Sequence, residues 1–403
     1  MAMDDSKTKA IASFMERLLD GVEVEWRPMK SVCGVITTGK LNANAMEGDG
    51  IYPFFTCNET PYKINTHAFD LEAILISGNG SQVGHLNYYK GKFNAYQRTY
   101  VVGDFKENVQ VMYLFHYLIH TLKTYITQNS RKGSIPYITM PMLENFQIPI
   151  PCPAYPKKSL EIQAGIARIL DAFTELTTEL TTELNARKKQ YNYYRDQLLS
   201  FEEGEVEWRT LDQVAHFANG KGHEKDITED GKYIVVNSKF ISTDGEVAKY
   251  SNSQICPLFK DDILLVMSDL PNGKALSKTF IVDVNDRYTL NQRIGGITVK
   301  NKKEFLPKFM HYFLNRTPQL LKHNNGVDQT NLRKGQILEV KIPVISPAEQ
   351  ERIVAILDKF DTLTRSITEG LPHEIELRQK QYEYYRDLLL SFPKPEASIA
   401  STA

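Results

Sequence analysis

The chain has 403 residues, 42% of them hydrophobic, and its 48 Lys and Arg nearly balance 49 Asp and Glu. That length predicts two or three domains, and the near-neutral charge excludes a strongly basic protein that neutralises nucleic-acid phosphates by itself. Four scattered cysteines, no apolar run of membrane-spanning length and no signal-peptide pattern predict a reduced, cytoplasmic protein without zinc fingers or a membrane anchor.

The chain opens with a predicted helix at residues 1–21, followed by a first globular module at residues 22–158. Strand-like runs at 72–77 and 99–102 and a helix at 109–126 are predicted within it. The glycine-rich stretch Gly78–Gly84 fits no phosphate-binding pattern, because it lacks a Gly-Lys-Ser/Thr ending and lies between strands, so a turn is predicted. His116 and His120 have the spacing of a zinc pair, but no third ligand is in view, and histidines of the core or surface are the favoured interpretation.

A central helix is predicted at residues 159–203, because apolar residues recur there in alternating steps of three and four. This seam runs through Ile162, Ile166, Ile169, Phe173, Leu176, Leu180, Leu184, Tyr191, Tyr194 and Leu198, with Arg187 in the one polar position. About 40 helical residues would span roughly 60 Å. The pattern predicts one partner of a coiled coil.

A second module is predicted at residues 204–346, with strand-like runs at 232–236, 262–266 and 294–299. It shares landmarks with the first, such as Gln97-Arg98 and Gln292-Arg293, but the two modules otherwise diverge. Glu339-Val340-Lys341 has the Glu-x-Lys pattern of metal nucleases, yet the matching stretch of the first module carries no charge and no paired upstream Asp is evident. The sequence therefore predicts a chain without catalytic residues and without a metal site of its own.

A C-terminal helix at residues 347–392 repeats the central one. Arg187–Phe201 and Arg378–Phe392 share 12 of 15 residues at an offset of 191, whereas RILDAF at 168–173 and AILDKF at 355–360 are offset by 187. The difference of four residues is one helical turn. Gly370 and Pro372 lie in this additional turn of the C-terminal helix and predict a kink or a new helix start. Residues 393–403 are predicted to be a disordered tail.

Polar loop residues are the candidates for DNA contacts, because Asn, Gln, Arg and Lys form bidentate contacts with base edges. For each of them, an ordinary solvated loop residue is the competing interpretation. The candidates are Asn79, Ser81, Gln82, His85, Arg131, Lys132, Lys221, His223, Asn272, Lys274, Lys278, Asn324, Asn325, Gln329 and Asn331.

Tyrosines of the helices are candidates for partner binding, because aromatic residues are enriched at interfaces. They are Tyr191, Tyr193, Tyr194, Tyr382, Tyr384 and Tyr385. Packing within the chain is the alternative. Three tyrosines within four positions cannot all face one seam, so some are expected at a second surface.

The layout of module, helix, module, helix resembles the DNA specificity subunit of type I restriction–modification enzymes. The resemblance rests on EVEW at 23–26 and 205–208, IPIP at 148–151, RILDAF and AILDKF, and the two KQY-x-YYRD runs. The repeated Thr-Thr-Glu-Leu at 177–184 and EGLP at 369–372 point to the type IC group.

This resemblance implies an α+β fold with two α/β target recognition domains and two long antiparallel helices in a pseudo-twofold circular arrangement. Each domain would read one half of an asymmetric bipartite site in double-stranded DNA, and the helices would set the spacer. Two methylation subunits holding S-adenosylmethionine would dock on the chain, and through them restriction and translocase subunits that use ATP and Mg²⁺. A coiled-coil scaffold with two protein-binding adaptor modules, and a self-sufficient methyltransferase–nuclease, are the alternatives.

Overall fold

The computed structural model describes residues 22–130, 136–202, 204–223, 225–271, 273–366 and 368–393. The predicted N-terminal helix and residues 394–403 of the predicted tail lie outside them. The chain divides into two compact units, residues 1–181 with 374–403 (unit 1) and residues 182–373 (unit 2). The predicted domain limits, which follow the repeat in the sequence, stay a prediction.

Unit 1 begins with short strands and helices that lead into one long helix. Its elements are β1 (Val24–Pro28), α1 (Met29–Val32), β2 (Cys33–Thr38), β3 (Tyr52–Phe55), β4 (Tyr62–Ile64), β5 (Phe69–Ser77), β6 (Leu86–Ala95), β7 (Thr99–Phe105), α2 (Val111–Asn129), α3 (Met140–Glu144), β8 (Gln147–Pro151) and the start of α4 (Pro156–Leu198). The predicted strands at 72–77 and 99–102 and the helix at 109–126 are confirmed.

A six-stranded sheet in the order β2-β7-β5-β6-β3-β4 forms the centre of unit 1. Its alternate residues, such as Ile74 and Ile76 of β5, are buried against Tyr113 and Leu114 of α2. The two ends of the module meet in the antiparallel pair β1–β8, where Trp26 lies opposite Pro149. The period-two burial on β5 and the apolar face of α2 thus make one core.

Unit 2 has more and shorter strands. Its elements are β9 (Glu207–Thr210), α5 (Leu211–Val214), β10 (Ala215–Asn219), β11 (Ile227–Thr228), β12 (Tyr233–Val236), α6 (Ser238–Ser242), β13 (Tyr250–Ser251), β14 (Ile263–Val266), β15 (Ser268–Asp269), β16 (Thr279–Ile281), β17 (Tyr288–Leu290), β18 (Ile294–Val299), α7 (Pro307–Leu314), α8 (Pro318–Leu321), β19 (Thr330–Asn331), α9 (Lys334–Leu338), β20 (Lys341–Val344) and α10 (Pro347–Arg365). The three strand predictions for this module are confirmed.

The strand order of unit 2 matches that of unit 1. The sheet β10-β18-β14-β16 corresponds to β2-β7-β5-β6, and β13-β12-β17 corresponds to β4-β3-β6. The pair β9–β20 sets Trp208 opposite Pro343, as β1–β8 does with Trp26 and Pro149. One difference is that β6 is continuous over 10 residues, whereas a turn at 282–287 separates β16 from β17.

The same close backbone approach occurs in both modules. A Cβ on Gly50 would lie 2.2 Å from the backbone nitrogen of Ile64, and one on Gly231 would lie 2.3 Å from that of Ser251. Contacts this short exclude any side chain, so both positions require glycine for steric reasons. The two modules therefore share a fold although their sequences diverge.

The long helices confirm the coiled-coil pattern. Helix α4 has 43 residues, about 65 Å at 1.5 Å per residue, and the boundary between the units falls inside it, after Thr181. The C-terminal helix is interrupted: α10 ends at Arg365 and α11 (Leu371–Leu390) begins after Gly370. The predicted break at Gly370 and Pro372 is thus confirmed.

Candidate nucleic-acid interface

A buried glutamine joins the module of unit 1 to its helix. Gln163 of α4 has no exposed surface. Its Oε1 accepts a hydrogen bond from the backbone nitrogen of Gln110 at 2.8 Å, and its Nε2 donates to the carbonyl of Asn108 at 3.1 Å. Both backbone groups lie just before α2, so the side chain satisfies polar groups at the helix start that would otherwise be buried without partners.

Unit 2 contains the same arrangement. Gln350 of α10 is also fully buried. Its Oε1 accepts from the backbone nitrogen of Leu306 at 2.8 Å, and its Nε2 donates to the carbonyl of Glu304 at 2.8 Å. These groups precede α7 as Asn108 and Gln110 precede α2. Each module is therefore attached to its helix by one glutamine, and the two positions differ by 187, the offset of the RILDAF repeat.

The repeated aspartate of RILDAF and AILDKF supplies a second attachment in each unit. Asp171 Oδ1 lies 2.7 Å from Nε2 of His116 on α2. Asp358 accepts from the hydroxyl of Tyr312 and from Nζ of Lys308 on α7, both at 2.7 Å. We call the glutamine and aspartate of each unit its joint (Gln163 and Asp171; Gln350 and Asp358).

The joint of unit 2 borders further charged groups. Asp361 and Arg365 pair at 3.2 Å, and burial raises the pKa of Asp361. Burial also lowers the pKa of His311, whose Nδ1 lies 2.9 Å from the Thr279 hydroxyl, to about 4. Unit 1 has Thr174 and Thr178 at the positions equivalent to Asp361 and Arg365.

Aromatic stacking pairs the helices within each unit. Phe173 of α4 stacks on Tyr385 of α11 with ring centroids 5.3 Å apart, and Tyr194 of α4 stacks on Phe360 of α10 at 5.7 Å. These residues occupy corresponding positions in the repeat. In unit 2, Tyr191 faces Arg365 while Tyr194 faces Phe360, so the two helices run antiparallel.

The candidate tyrosines divide between these contacts and the surface. Tyr191 and Tyr385 are 4% exposed and Tyr382 is half-buried, whereas Tyr194 is 39% exposed despite its stacking. Tyr193 and Tyr384 occupy equivalent positions in the repeat and are 59% and 64% exposed. Each packs edge-on against the next tyrosine, Tyr194 or Tyr385. The equivalent pair, Tyr193 and Tyr384, is thus the part of the set that is open to a partner.

Four candidate DNA contacts of unit 1 lie on one turn after β5. Asn79, Gln82 and His85 are half-buried and Ser81 is exposed. The turn is closed by hydrogen bonds from Gly84 N to Ser77 O and from Val83 N to Gly80 O, with positive φ at Gly80 and Gly84. The predicted turn is confirmed. Arg131 and Lys132 lie outside the described residues.

In unit 2 a short strand orders the segment that carries four of the candidates, Asn324, Asn325, Gln329 and Asn331. Strand β15 pairs with β19, with Ser268 opposite Asn331, and Gln329 Nε2 donates to Ser268 Oγ at 2.8 Å. Side chains also brace the loop before β19: Asn324 Oδ1 accepts from Gly326 N, and Asn325 Oδ1 accepts from Val327 N. Asn325, Gln329 and Asn331 are exposed and Asn324 is half-buried, so an ordered polar surface results.

The other candidates of unit 2 differ in availability. Lys221 and Lys274 are exposed. Lys278 is half-buried, donates to the carbonyl of Ser242 at 3.1 Å and lies 3.8 Å from Asp244. His223 is 1% exposed, with its ring nitrogens 2.8 Å from Lys221 O and 3.0 Å from Thr289 Oγ1. Asn272 lies outside the described residues.

The structure also assembles a cleft that motif and spacing do not indicate. In unit 1, Asn44, Asn58 and Tyr62 join Asn79 and Ser81 around a cavity of about 460 Å³. The three loops at 43–46, 56–61 and 79–81 are separated by strands in the sequence. No repeat or motif links them, and only the folded sheet brings them to one place.

The described part of the chain contains no group of three His, Cys, Asp or Glu side chains placed to hold a metal ion. His116 is buried, 2% exposed, and faces Asp171, and His120 is half-buried and lies 3.6 Å from Asp387. None of the helices in the described ranges combines the length and apolar character that a bilayer crossing requires.

Comparison with known proteins agrees with this architecture. A family model described as the type I restriction modification DNA specificity domain matches residues 21–189 and again residues 203–377. The chain belongs to this family. The double match makes it a type I specificity subunit, whose function is DNA sequence recognition, and a coiled-coil scaffold with adaptor modules is not favoured.

Relatives match this chain over nearly its whole length and over nearly their own. The EcoR124I/EcoR124II specificity subunit of Escherichia coli is 37% identical over 95% of this chain and 98% of its own length. A putative type I specificity subunit of Haemophilus influenzae is 31% identical over 94% and 98%. An S subunit of M. genitalium has the same fold, with a TM-score of 0.60 at 17% identity over 93% of this chain and 98% of that one.

Proposed function

We propose that each module reads one half of an asymmetric, bipartite site in double-stranded DNA. The observation that carries this proposal is the pair of modules with one strand order but different loops at corresponding places. Two copies of a common frame with unlike polar surfaces suit two half-sites of unlike sequence. The chain itself would carry no catalytic residue.

The helices would hold the two half-site readers at a fixed spacing. Support comes from the joints, where a fully buried glutamine ties each module to its helix, because buried and satisfied hydrogen bonds restrict motion. The Thr-Thr-Glu-Leu repeat at 177–184 lies within the continuous helix α4. It is the segment where length could change by whole helical turns.

Two methylation subunits would dock on the helices, one at each of the equivalent exposed tyrosines, Tyr193 and Tyr384. Exposed aromatic residues are frequent anchors of protein interfaces. The methylation subunits would bring S-adenosylmethionine, and restriction and translocase subunits that use ATP and Mg²⁺ would join through them. The complete complex would be an adenine methyltransferase and an ATP-dependent endonuclease.

Charge supports a role for these partners in holding DNA. Residues 22–147 carry 11 Lys and Arg against 10 Asp and Glu, and residues 205–341 carry 20 against 17. Such modules neutralise few phosphates, so partner subunits would supply most of the phosphate contacts. Because chromosomal DNA is the proposed ligand and the four cysteines are free thiols, the location we propose is the cytoplasm.

Module exchange tests the proposal. Residues 27–145 are replaced by the corresponding segment of a specificity subunit with a different target, and the methylated motif is determined by genome-wide methylation sequencing. We expect one half-site to change while the other half-site and the gap stay the same. A change in both half-sites would contradict the proposal.

A further inference from the structure

The cleft of unit 1 lies where three strands of the sheet, β2, β3 and β5, lead into their loops. Asn44 comes from the loop after β2, Asn58 from the loop between β3 and β4, Tyr62 from the start of β4, and Asn79 from the turn after β5. Asn44 and Asn58 are exposed and Tyr62 is 39% exposed. Three carboxamides from three separate loops thus line one opening.

The chemistry of the lining is polar but uncharged. None of the described residues that line the cleft is Lys, Arg, Asp or Glu. Phosphate contacts and bidentate contacts to guanine rely mainly on Arg and Lys, whereas Asn and Gln pair with N6 and N7 of adenine. The lining therefore suits a base edge more than the sugar–phosphate backbone, and adenine more than guanine.

Hydrogen bonds hold two of the carboxamides. Asn58 Nδ2 donates to the hydroxyl of Tyr62 at 2.7 Å, and Asn79 Oδ1 accepts from the thiol of Cys57 at 3.2 Å. Each amide group has two N–H donors and one carbonyl acceptor. After its internal bond, Asn58 keeps one N–H and its carbonyl oxygen, which are the two groups that adenine N7 and N6 require.

An apolar side chain completes the lining. Met46 borders the cleft and is 50% exposed. An A·T pair presents the adenine N6 and N7 atoms beside the thymine methyl group in the major groove, and apolar side chains contact that methyl. Carboxamides beside an exposed thioether side chain match both parts of this pattern.

We infer that the cleft formed by Asn44, Asn58, Asn79 and Met46 reads an A·T base pair in the half-site of unit 1. Asn58 makes the bidentate contact with adenine, and Met46 contacts the thymine methyl. This inference rests on the proposed function and assigns specificity residues to one of its two reading surfaces.

Unit 2 differs at the corresponding place, so the effect belongs to one half-site. Strand β12, the equivalent of β3, leads directly into helix α6, and the side chain of Asn237 accepts from Phe240 N at 2.9 Å as the cap of that helix. The side-chain oxygen of Asn237 is therefore occupied by the helix cap. A reading surface built from loops at this position is therefore a feature of unit 1.

The test uses the full chain together with its methylation subunits. Asn58→Ala and Asn58→Asp are expressed in the host, and the methylated motif is determined for each. Asn145→Ala is the matched control, because Asn145 is exposed in the same module, bonds internally to the carbonyl of Pro141 at 2.9 Å and lies outside the cleft. Duplexes with A·T or G·C at each position then measure binding of the purified complexes.

We expect Asn58→Ala to lose about tenfold to a hundredfold in discrimination for A·T at one position of one half-site. Asn58→Asp, which turns a donor and acceptor into an acceptor only, should disfavour adenine there and shift preference toward C·G, since a carboxylate accepts from cytosine N4. The other half-site and the Asn145→Ala motif should match the wild type.

Three results would overturn the inference while leaving the proposed function intact. They are an unchanged motif in both Asn58 variants, a change confined to G·C positions, and a change in the other half-site. A wild-type chain that directs no bipartite motif at all would instead contradict the proposed function. If Asn58→Ala fails to fold, Asn44→Ala and Met46→Ala, both at exposed positions, are measured instead for the same loss of discrimination for A·T at one position.

Discussion

The two modules share a strand order and differ in the connections between the strands. The order β2-β7-β5-β6 in unit 1 and β10-β18-β14-β16 in unit 2 is the same. The connections differ: an open loop follows β3, and helix α6 follows β12. Strand order is set by buried apolar residues, whereas the loops lie on the surface and are free to change. Recognition can therefore change without loss of the fold.

The joints show the opposite behaviour. Gln163 and Gln350 make equivalent bonds to the backbone before α2 and before α7. A reading surface has to suit a particular sequence, whereas a joint has to hold its module in place whatever the module reads. The contrast predicts that equivalent changes at the two joints have the same effect, each on its own unit, while a change in a loop alters what one module reads.

The largest expected effect is at the joints. Gln350→Ala leaves the backbone nitrogen of Leu306 and the carbonyl of Glu304 buried without partners, which should lower the free energy of unfolding of unit 2 by about 3 kcal/mol. Gln163→Ala should do the same to unit 1. The chain has two tryptophans, Trp26 and Trp208, so Trp208→Phe and Trp26→Phe backgrounds report urea unfolding of units 1 and 2 separately.

Gln197→Ala is the control for both joint variants. Gln197 is exposed on α4 and bonds only to the hydroxyl of Tyr193 among the contacts given by the structure, so its loss should cost less than about 0.5 kcal/mol. Equal small effects for Gln163, Gln350 and Gln197 would contradict the assignment of the joints.

The stacked phenylalanines should contribute different amounts to the stability of the two units. Phe173 is 7% exposed, whereas Phe360 is half-buried. Truncation of a buried phenylalanine costs about 3–5 kcal/mol, so Phe173→Ala should cost about 3 kcal/mol and Phe360→Ala roughly half of that. Urea unfolding in the same tryptophan backgrounds measures both. A larger loss for Phe360→Ala would mean that α10 relies on this stack more than its burial indicates.

Acid should weaken unit 2 through His311. Its folded-state pKa of about 4 lies below the unfolded value of about 6.5. The stabilisation is therefore complete above pH 6.5 and is lost as the pH falls toward 4, because the unfolded chain then takes up a proton that the folded chain refuses. Between pH 6.5 and 5 we expect a loss of about 1.6 kcal/mol. In His311→Gln this part of the pH dependence should disappear; if it persists, another group causes it.

The smallest effect on stability is expected at the exposed tyrosines. Tyr193→Ala and Tyr384→Ala should each change the free energy of unfolding by less than about 0.5 kcal/mol. If these residues anchor the methylation subunits, each variant should nevertheless weaken assembly of the complex, by roughly tenfold or more. Analytical ultracentrifugation with a purified methylation subunit measures this, and unchanged assembly of the double variant would exclude the proposed docking site.

Much of the helical frame could be predicted because its signals are periodic. The seam steps predicted residues 159–203 as helix, and the structure has Pro156–Leu198. Gly370 and Pro372 predicted the interruption after α10. The joints were missed although a signal was present, since Gln163 and Gln350 are identical at the offset of 187 established by RILDAF.

The reading surfaces could not be predicted in the same way. Asn44, Asn58 and Asn79 lie in separate loops, and their spacing in the sequence has no period. His223 shows the converse problem, since its polar neighbourhood in the sequence suggested a surface loop and the fold buries it against Thr289. Loop geometry depends on tertiary contacts rather than on local pattern.

The most direct test of the account is deletion of one Thr-Thr-Glu-Leu unit from α4. Four residues turn an α-helix by about 400° and shorten it by about 6 Å, so both modules should stay folded and keep their own reading surfaces. Methylation sequencing of a strain carrying this chain should show both half-sites unchanged and the gap between them shorter by about one or two base pairs. An unchanged gap would contradict the claim that the helices set the distance between the two readers.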